Sequence, residues 1–215
     1  MGRNIDHLFI HPGMPADEES ASVARLVRQW ADKEIVTRRM EYREGYSGLF
    51  PEKRKKLCID IGLQKLTVPA ELGGFGWNSP SRAPALLSLA CETGRADAST
   101  GVLMASAWAL FLLLSGRGDS PEEPCRTLAG LYSGEEVRTP AFVLTGPGEV
   151  GVETPLFLGR SIPARVRGAK TGFTLSGTGI RPLIAGGMAD LFCVVCADES
   201  GTPRLALVPA DAEAS

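Results

Sequence analysis

At 215 residues, with hydrophobic residues at 44% and charged residues at 22%, the chain has the balance of a globular protein with room for one large domain or two small ones. A formal net charge of -2 sets up no field toward nucleic acid or an anionic membrane surface, so neither is expected as a partner. Five cysteines, odd in number and widely spread, are expected to be free thiols in a reducing cytoplasm. The N-terminal residues lack a basic region followed by a sustained apolar stretch, and the longest apolar run, 102–114, is too short to span a bilayer. A cytoplasmic protein without a membrane span is the expectation.

His7 and His11 come first, at helical ligand spacing, but Pro12, Gly13 and Pro15 surround them and nothing completes a coordination set, so no metal site is expected. The segment 20–39 then carries Val23, Leu26, Val27, Trp30, Ala31 and Ile35 at helical spacing with charges opposite, which predicts an amphipathic helix. Pro51 suits a first helical position and predicts a helix over 51–61 that ends at Gly62. Its run Lys53-Arg54-Lys55-Lys56 reads as a solvated face. A turn-rich stretch over 68–76 leads to a helix over 82–93, stopped by Gly94. The segment 99–114 is apolar almost all round, which predicts a helix enclosed by others. Trp108 is expected there as a packing residue, and Asp97 as the N-cap. Ser120-Pro121-Glu122-Glu123 gives a cap, a proline and an N3 glutamate for a last helix reaching about Tyr132.

From Val137 the period changes. The runs 141–145, 162–167, 172–175, 191–197 and 204–208 are short, β-rich and separated by Gly and Pro. Ser133-Gly134 is the natural boundary, giving an N-terminal extension over 1–19, a helical domain over 20–134 and a β-domain over 135–215. The fold class is therefore α+β: an N-terminal helical bundle followed by a small, incomplete antiparallel β-domain. Only a polar stub, 209–215, follows the last strand, so its apolar edge is expected to be covered by further protein. Cys193 and Cys196 form a CxxC within a strand, where residues three apart face opposite ways, so a shared metal or disulfide is not expected.

Five motifs decide between the many proteins of this architecture. They are Ile61-Gly62-Leu63 with Val68-Pro69-Ala70-Glu71-Leu72-Gly73-Gly74-Phe75-Gly76; Glu92-Thr93-Gly94-Arg95-Ala96-Asp97-Ala98-Ser99; Phe142-Val143-Leu144-Thr145-Gly146-Pro147; Phe173-Thr174-Leu175-Ser176-Gly177-Thr178 with Ala189-Asp190-Leu191-Phe192; and Leu205-Ala206-Leu207-Val208-Pro209. In order and spacing they resemble the acyl-CoA dehydrogenase family, over its N-terminal helical domain and part of its middle β-domain. The resemblance implies an oxidoreductase of fatty acid metabolism, a flavoprotein that uses FAD to dehydrogenate an acyl-CoA thioester at its α,β bond. It also implies a homo- or hetero-oligomer with chains of the same type.

By the same resemblance Phe142, Leu144, Thr145 and Gly146 line the flavin, with a hydroxyl contact from Thr145. A strand ending in a hydroxyl, a glycine and open backbone N–H groups offers what a flat ring with polar edges needs. The family's catalytic carboxylate lies in a C-terminal helical domain without counterpart here, so no catalytic residue is assigned. Gly146 stands where the family has a glutamate, and 148–153 replaces its "GSD". The family's stacking aromatic falls at Arg181 or Pro182, and its flavin-facing threonine at Leu183 or Ile184. These departures leave three readings: an enzyme present as a fragment or split subunit, a non-catalytic partner subunit with a decayed flavin site, or a fold relative such as a flavin-linked monooxygenase.

Overall fold

Asp17 caps the first helix, α1 (Glu18–Trp30), by accepting from the Ser20 N–H at 2.8 Å, and Glu18 and Glu19 sit in the first turn where the helix dipole favours them. The computed structural model describes residues 17–115, 122–145, 162–169, 172–177 and 179–212. The paired histidines, Ser120 and Pro121 lie outside them. The chain divides into two units, Met1–Val137 and Arg138–Ser215.

In the first unit, α1 buries Val27 and Trp30, then widens into a π-helical turn over Ala31–Val36, with the Thr37 N–H reaching the carbonyl of Asp32 five residues back. The predicted helix over 20–39 is thus interrupted, and α2 (Arg39–Glu44) follows. The next helix, α3 (Tyr46–Lys55), starts a turn before the position read from Pro51, which lies inside it. Aromatic packing overrides the proline signal. Tyr46 stands edge-on to Tyr42 at 5.4 Å and stacks on Phe50 at 4.9 Å.

The Lys53–Lys56 run is also corrected. Lys53 and Arg54 are buried, at 6% and 5% exposure, because Glu34 reaches across to Lys53 at 2.9 Å and to Lys56 at 2.8 Å. The two lysine hydrogen bonds hold the Glu34 carboxyl well below the ordinary range, at about 2.

After left-handed Gly62 the stretch 63–77 folds back on itself through backbone bonds, including Phe75 N–H to Lys65, Gly76 N–H to Val68 and Trp77 N–H to Leu66. A Cβ on Gly74 would lie 2.2 Å from the Val68 carbonyl oxygen, so this fold-back needs glycine. Arg82 then binds Asp17 and Glu19 and lies 4.9 Å over the Trp77 ring, joining the start of α1 to the next helix.

That helix, α4 (Ala83–Ala96), passes through Gly94 instead of stopping there. Gly94 backs onto Gly101 of α5 (Ala98–Ser115), where an added Cβ would lie 2.7 Å from the Gly94 Cα. The glycine marks a close helix–helix approach, not a terminus. Asp97 caps α5 as expected: its carboxylate accepts from Ser99 N–H at 3.0 Å, from the Thr100 hydroxyl, and from the Tyr42 hydroxyl at 2.8 Å. Trp108 is 2% exposed and donates to the Leu63 carbonyl at 2.9 Å. Enclosure of α5 is partial, since Val102 and Leu113 are about half exposed. Buried Glu92 links α1 to α4 through Arg28 and Arg95, and Arg95 continues to Asp32 at 2.8 Å. Burial pushes the Glu92 carboxyl up, but the two arginines hold it below its ordinary value. Finally, α6 (Glu122–Tyr132) ends where Gln64 donates to the carbonyls of Tyr132 and Glu136.

The second unit is a six-stranded sheet: β1 (Pro140–Thr145), β2 (Arg165–Gly168), β3 (Phe173–Ser176), β4 (Ile180–Pro182), β5 (Leu191–Ala197) and β6 (Pro203–Pro209). Along one edge of β5 run β1 and then β2; β6 pairs with the full length of its other edge. The α+β class holds, with a helical unit followed by a sheet, but the sheet is mixed. β1 and β2 both run parallel to β5, while β2–β3, β1–β4 and β5–β6 are antiparallel. Alternation and turn residues reveal strands, not their directions, and β1 lies far enough from β5 in sequence for either sense. Val143, Ala164, Val194 and Cys196 form the core of this sheet, with Val166, Leu175, Phe192, Ala206 and Val208 packed against them.

Candidate functional site

The residues singled out for the flavin fall at the end of β1, and the fold positions that strand from its start. Both carboxylate oxygens of Asp190 accept from the Thr139 N–H, at 3.1 and 3.2 Å, and the Asp190 N–H returns to the Thr139 carbonyl at 3.2 Å. Arg138 stands 3.8 Å from the same carboxylate. This clamp holds β1 parallel to β5 from Pro140 opposite Leu191 to Val143 opposite Val194. Asp190 entered the sequence reading only as part of a motif; its structural role there could not be read from spacing alone.

At the other end of β1, the short strand β4 pairs antiparallel, with Val143 opposite Pro182, Leu144 opposite Arg181 and Thr145 opposite Ile180. The Leu183 N–H extends the ladder to the Phe142 carbonyl at 2.9 Å. Phe142 is half-buried. Gly146 lies outside the described residues. Leu144 and Thr145 are therefore joined by the backbone to the very segment where the sequence left two alternatives. Arg181 meets Leu144, whereas Pro182 meets the core residue Val143. β4 escaped the sequence reading because three residues ending in proline carry almost no strand signal.

The surroundings of β4 are open. Ile180, Leu183 and Met188 are 37%, 61% and 50% exposed, and Arg181 is exposed. The turn beyond is tight: Ala185 has φ 59, and a Cβ on Gly186 would lie 2.7 Å from the Pro182 ring. The β1–β4 end thus offers an apolar, solvent-facing edge beside one guanidinium. That combination can hold a flat ring by its face.

The CxxC does not form a site. Cys193 and Cys196 are buried free thiols. Cys196 belongs to the core face, and burial pushes the Cys193 thiol up to about 12. Among the described residues no group of His, Cys, Asp and Glu could hold a metal ion, and no helix is long and apolar enough to cross a membrane.

Comparison with known proteins adds an independent line. The family model for the N-terminal domain of acyl-CoA dehydrogenases matches residues 17–135. Acyl-CoA dehydrogenase IpdE2 of Mycolicibacterium smegmatis is 34% identical over 126 residues, covering 58% of this chain and 37% of that protein. Among solved structures, an acyl-CoA dehydrogenase complexed with FAD from Bacillus anthracis superposes with a TM-score of 0.67 at 21% identity, over 92% of this chain and 31% of that one. A nitrososynthase from Micromonospora carbonacea var. africana gives 0.60 at 24% identity, over 92% and 48%. FMN-bound TdsC from Paenibacillus sp. A11-2 gives 0.61 at 18% identity, over 88% and 44%. The structural likenesses carry the fold. The chain spans between 31% and 48% of the length of these relatives.

Proposed function

Since this chain belongs to the acyl-CoA dehydrogenase family, we propose that it provides one wall of a flavin site for the FAD-dependent α,β-dehydrogenation of an acyl-CoA thioester. The carboxylate base would come from protein beyond this chain, in the same polypeptide or in an associated subunit. The observation that carries the reading is the β1–β4 register, which brings Leu144 and Thr145 alongside Arg181 and Ile180. An exposed apolar edge with a guanidinium fits the face of a flat ring, and a planar arginine can stack where an aromatic otherwise would. The FAD and FMN complexes of two fold relatives support a flavin there.

When bound, flavin supplies an acceptor for the hydride that leaves the substrate's β-carbon. The tasks of this chain are binding and orientation. The β1 backbone, fixed by Asp190 at one end and β4 at the other, would set the depth of the ring. Arg181 would lie against it, and Leu183 and Ile180 would exclude water from its face.

A second reading is favoured by Arg181 and Leu183 themselves. With Pro182 and Ile184 as the alternatives, they fall where the family carries an aromatic and a hydroxyl, and none of the four is either, so a non-catalytic partner subunit with a decayed site accounts for them too. Each lost hydrogen bond removes about 0.5–1.5 kcal/mol, and about 1.4 kcal/mol is tenfold in affinity. The whole chain is therefore expected to bind FAD weakly and to lose most of it on desalting. Titration of FAD, followed by quenching of its fluorescence, tests this. Saturable quenching that weakens in Arg181→Ala supports the flavin wall. Absence of saturable quenching favours the decayed partner. A stoichiometric yellow cofactor retained through desalting would show a complete site and remove the second reading.

A further inference from the structure

We draw no further inference here: the strongest candidate, the uncharged surface patch made by the exposed residues Leu87 and Cys91 of α4 with Val102, Ala105 and Leu113 of α5, carries nothing further because nothing in the structure shows what covers it.

Discussion

Replacing Glu34 by glutamine removes a negative charge while keeping the side chain's shape. Glu34 and Lys53 have side chains only 8% and 7% exposed and meet at 2.9 Å, so losing the carboxylate leaves a buried ammonium whose remaining partner, Glu52, is 61% exposed. Breaking a buried pair by removing one member costs about 3–5 kcal/mol. The contact with Lys56, itself 45% exposed, adds little. Protonation gives a similar figure. The Glu34 carboxyl lies at about 2 in the folded chain against an ordinary 4.5, which corresponds to about 3 kcal/mol. Because the folded value is depressed, this contribution is fully present above pH 4.5 and is lost as pH falls through about 2. Urea unfolding followed by helical circular dichroism should therefore separate wild type from Glu34→Gln by about 3 kcal/mol at neutral pH. The gap should narrow steadily as pH falls from 4.5 toward 2. The double variant Glu34→Leu with Lys53→Met should recover most of the loss, since an apolar pair can replace a buried ionic one. A difference below about 1 kcal/mol at neutral pH, or one that does not change with acid, would refute the reasoning.

Three further outcomes can be measured on the same protein. Trp108→Ala should destabilise the helical unit by about 3–5 kcal/mol, because a side chain 2% exposed is deleted and the Leu63 carbonyl loses its donor; chemical denaturation reads it. Gly101→Ala should cost about 1–3 kcal/mol in thermal melts, since the new methyl would meet the Gly94 backbone at 2.7 Å. Thiol alkylation of the native chain near neutral pH should label exposed Cys91 and spare Cys58 and Cys193, whose thiols burial pushes up to about 11 and 12, until denaturant is added.

The sequence made most of the helices and the Asp97 cap legible because a cap residue, an apolar stripe and a buried tryptophan are local signals. It also yielded β5 to the residue, an unbroken apolar run. Its failures share a cause. Pro51 and Gly94 look like helix boundaries, yet ring stacking carries one helix past the proline, and a close interhelical approach explains the glycine. Lys53 looks solvated until Glu34 arrives from another helix. At the candidate site, Phe142 to Thr145 were visible as a strand entering a turn. The pairing of that strand with Arg181 was not, because β4 exists only through its ladder to β1.

The Asp190 clamp has a consequence for the order of events during synthesis. Thr139, just ahead of β1, leaves the ribosome 51 residues before the carboxylate that holds its N–H, and the parallel partner of β1 follows directly after that carboxylate. At about 5–20 residues per second, the strand waits several seconds with neither its register nor its direction decided. The helices before it, built from near-neighbour contacts, have time to form in that interval. A ribosome stalled before Ile180 would expose an apolar strand with neither β4 nor β5 to pair it, and 140–145 would then be open to a chaperone that recognises short extended hydrophobic segments.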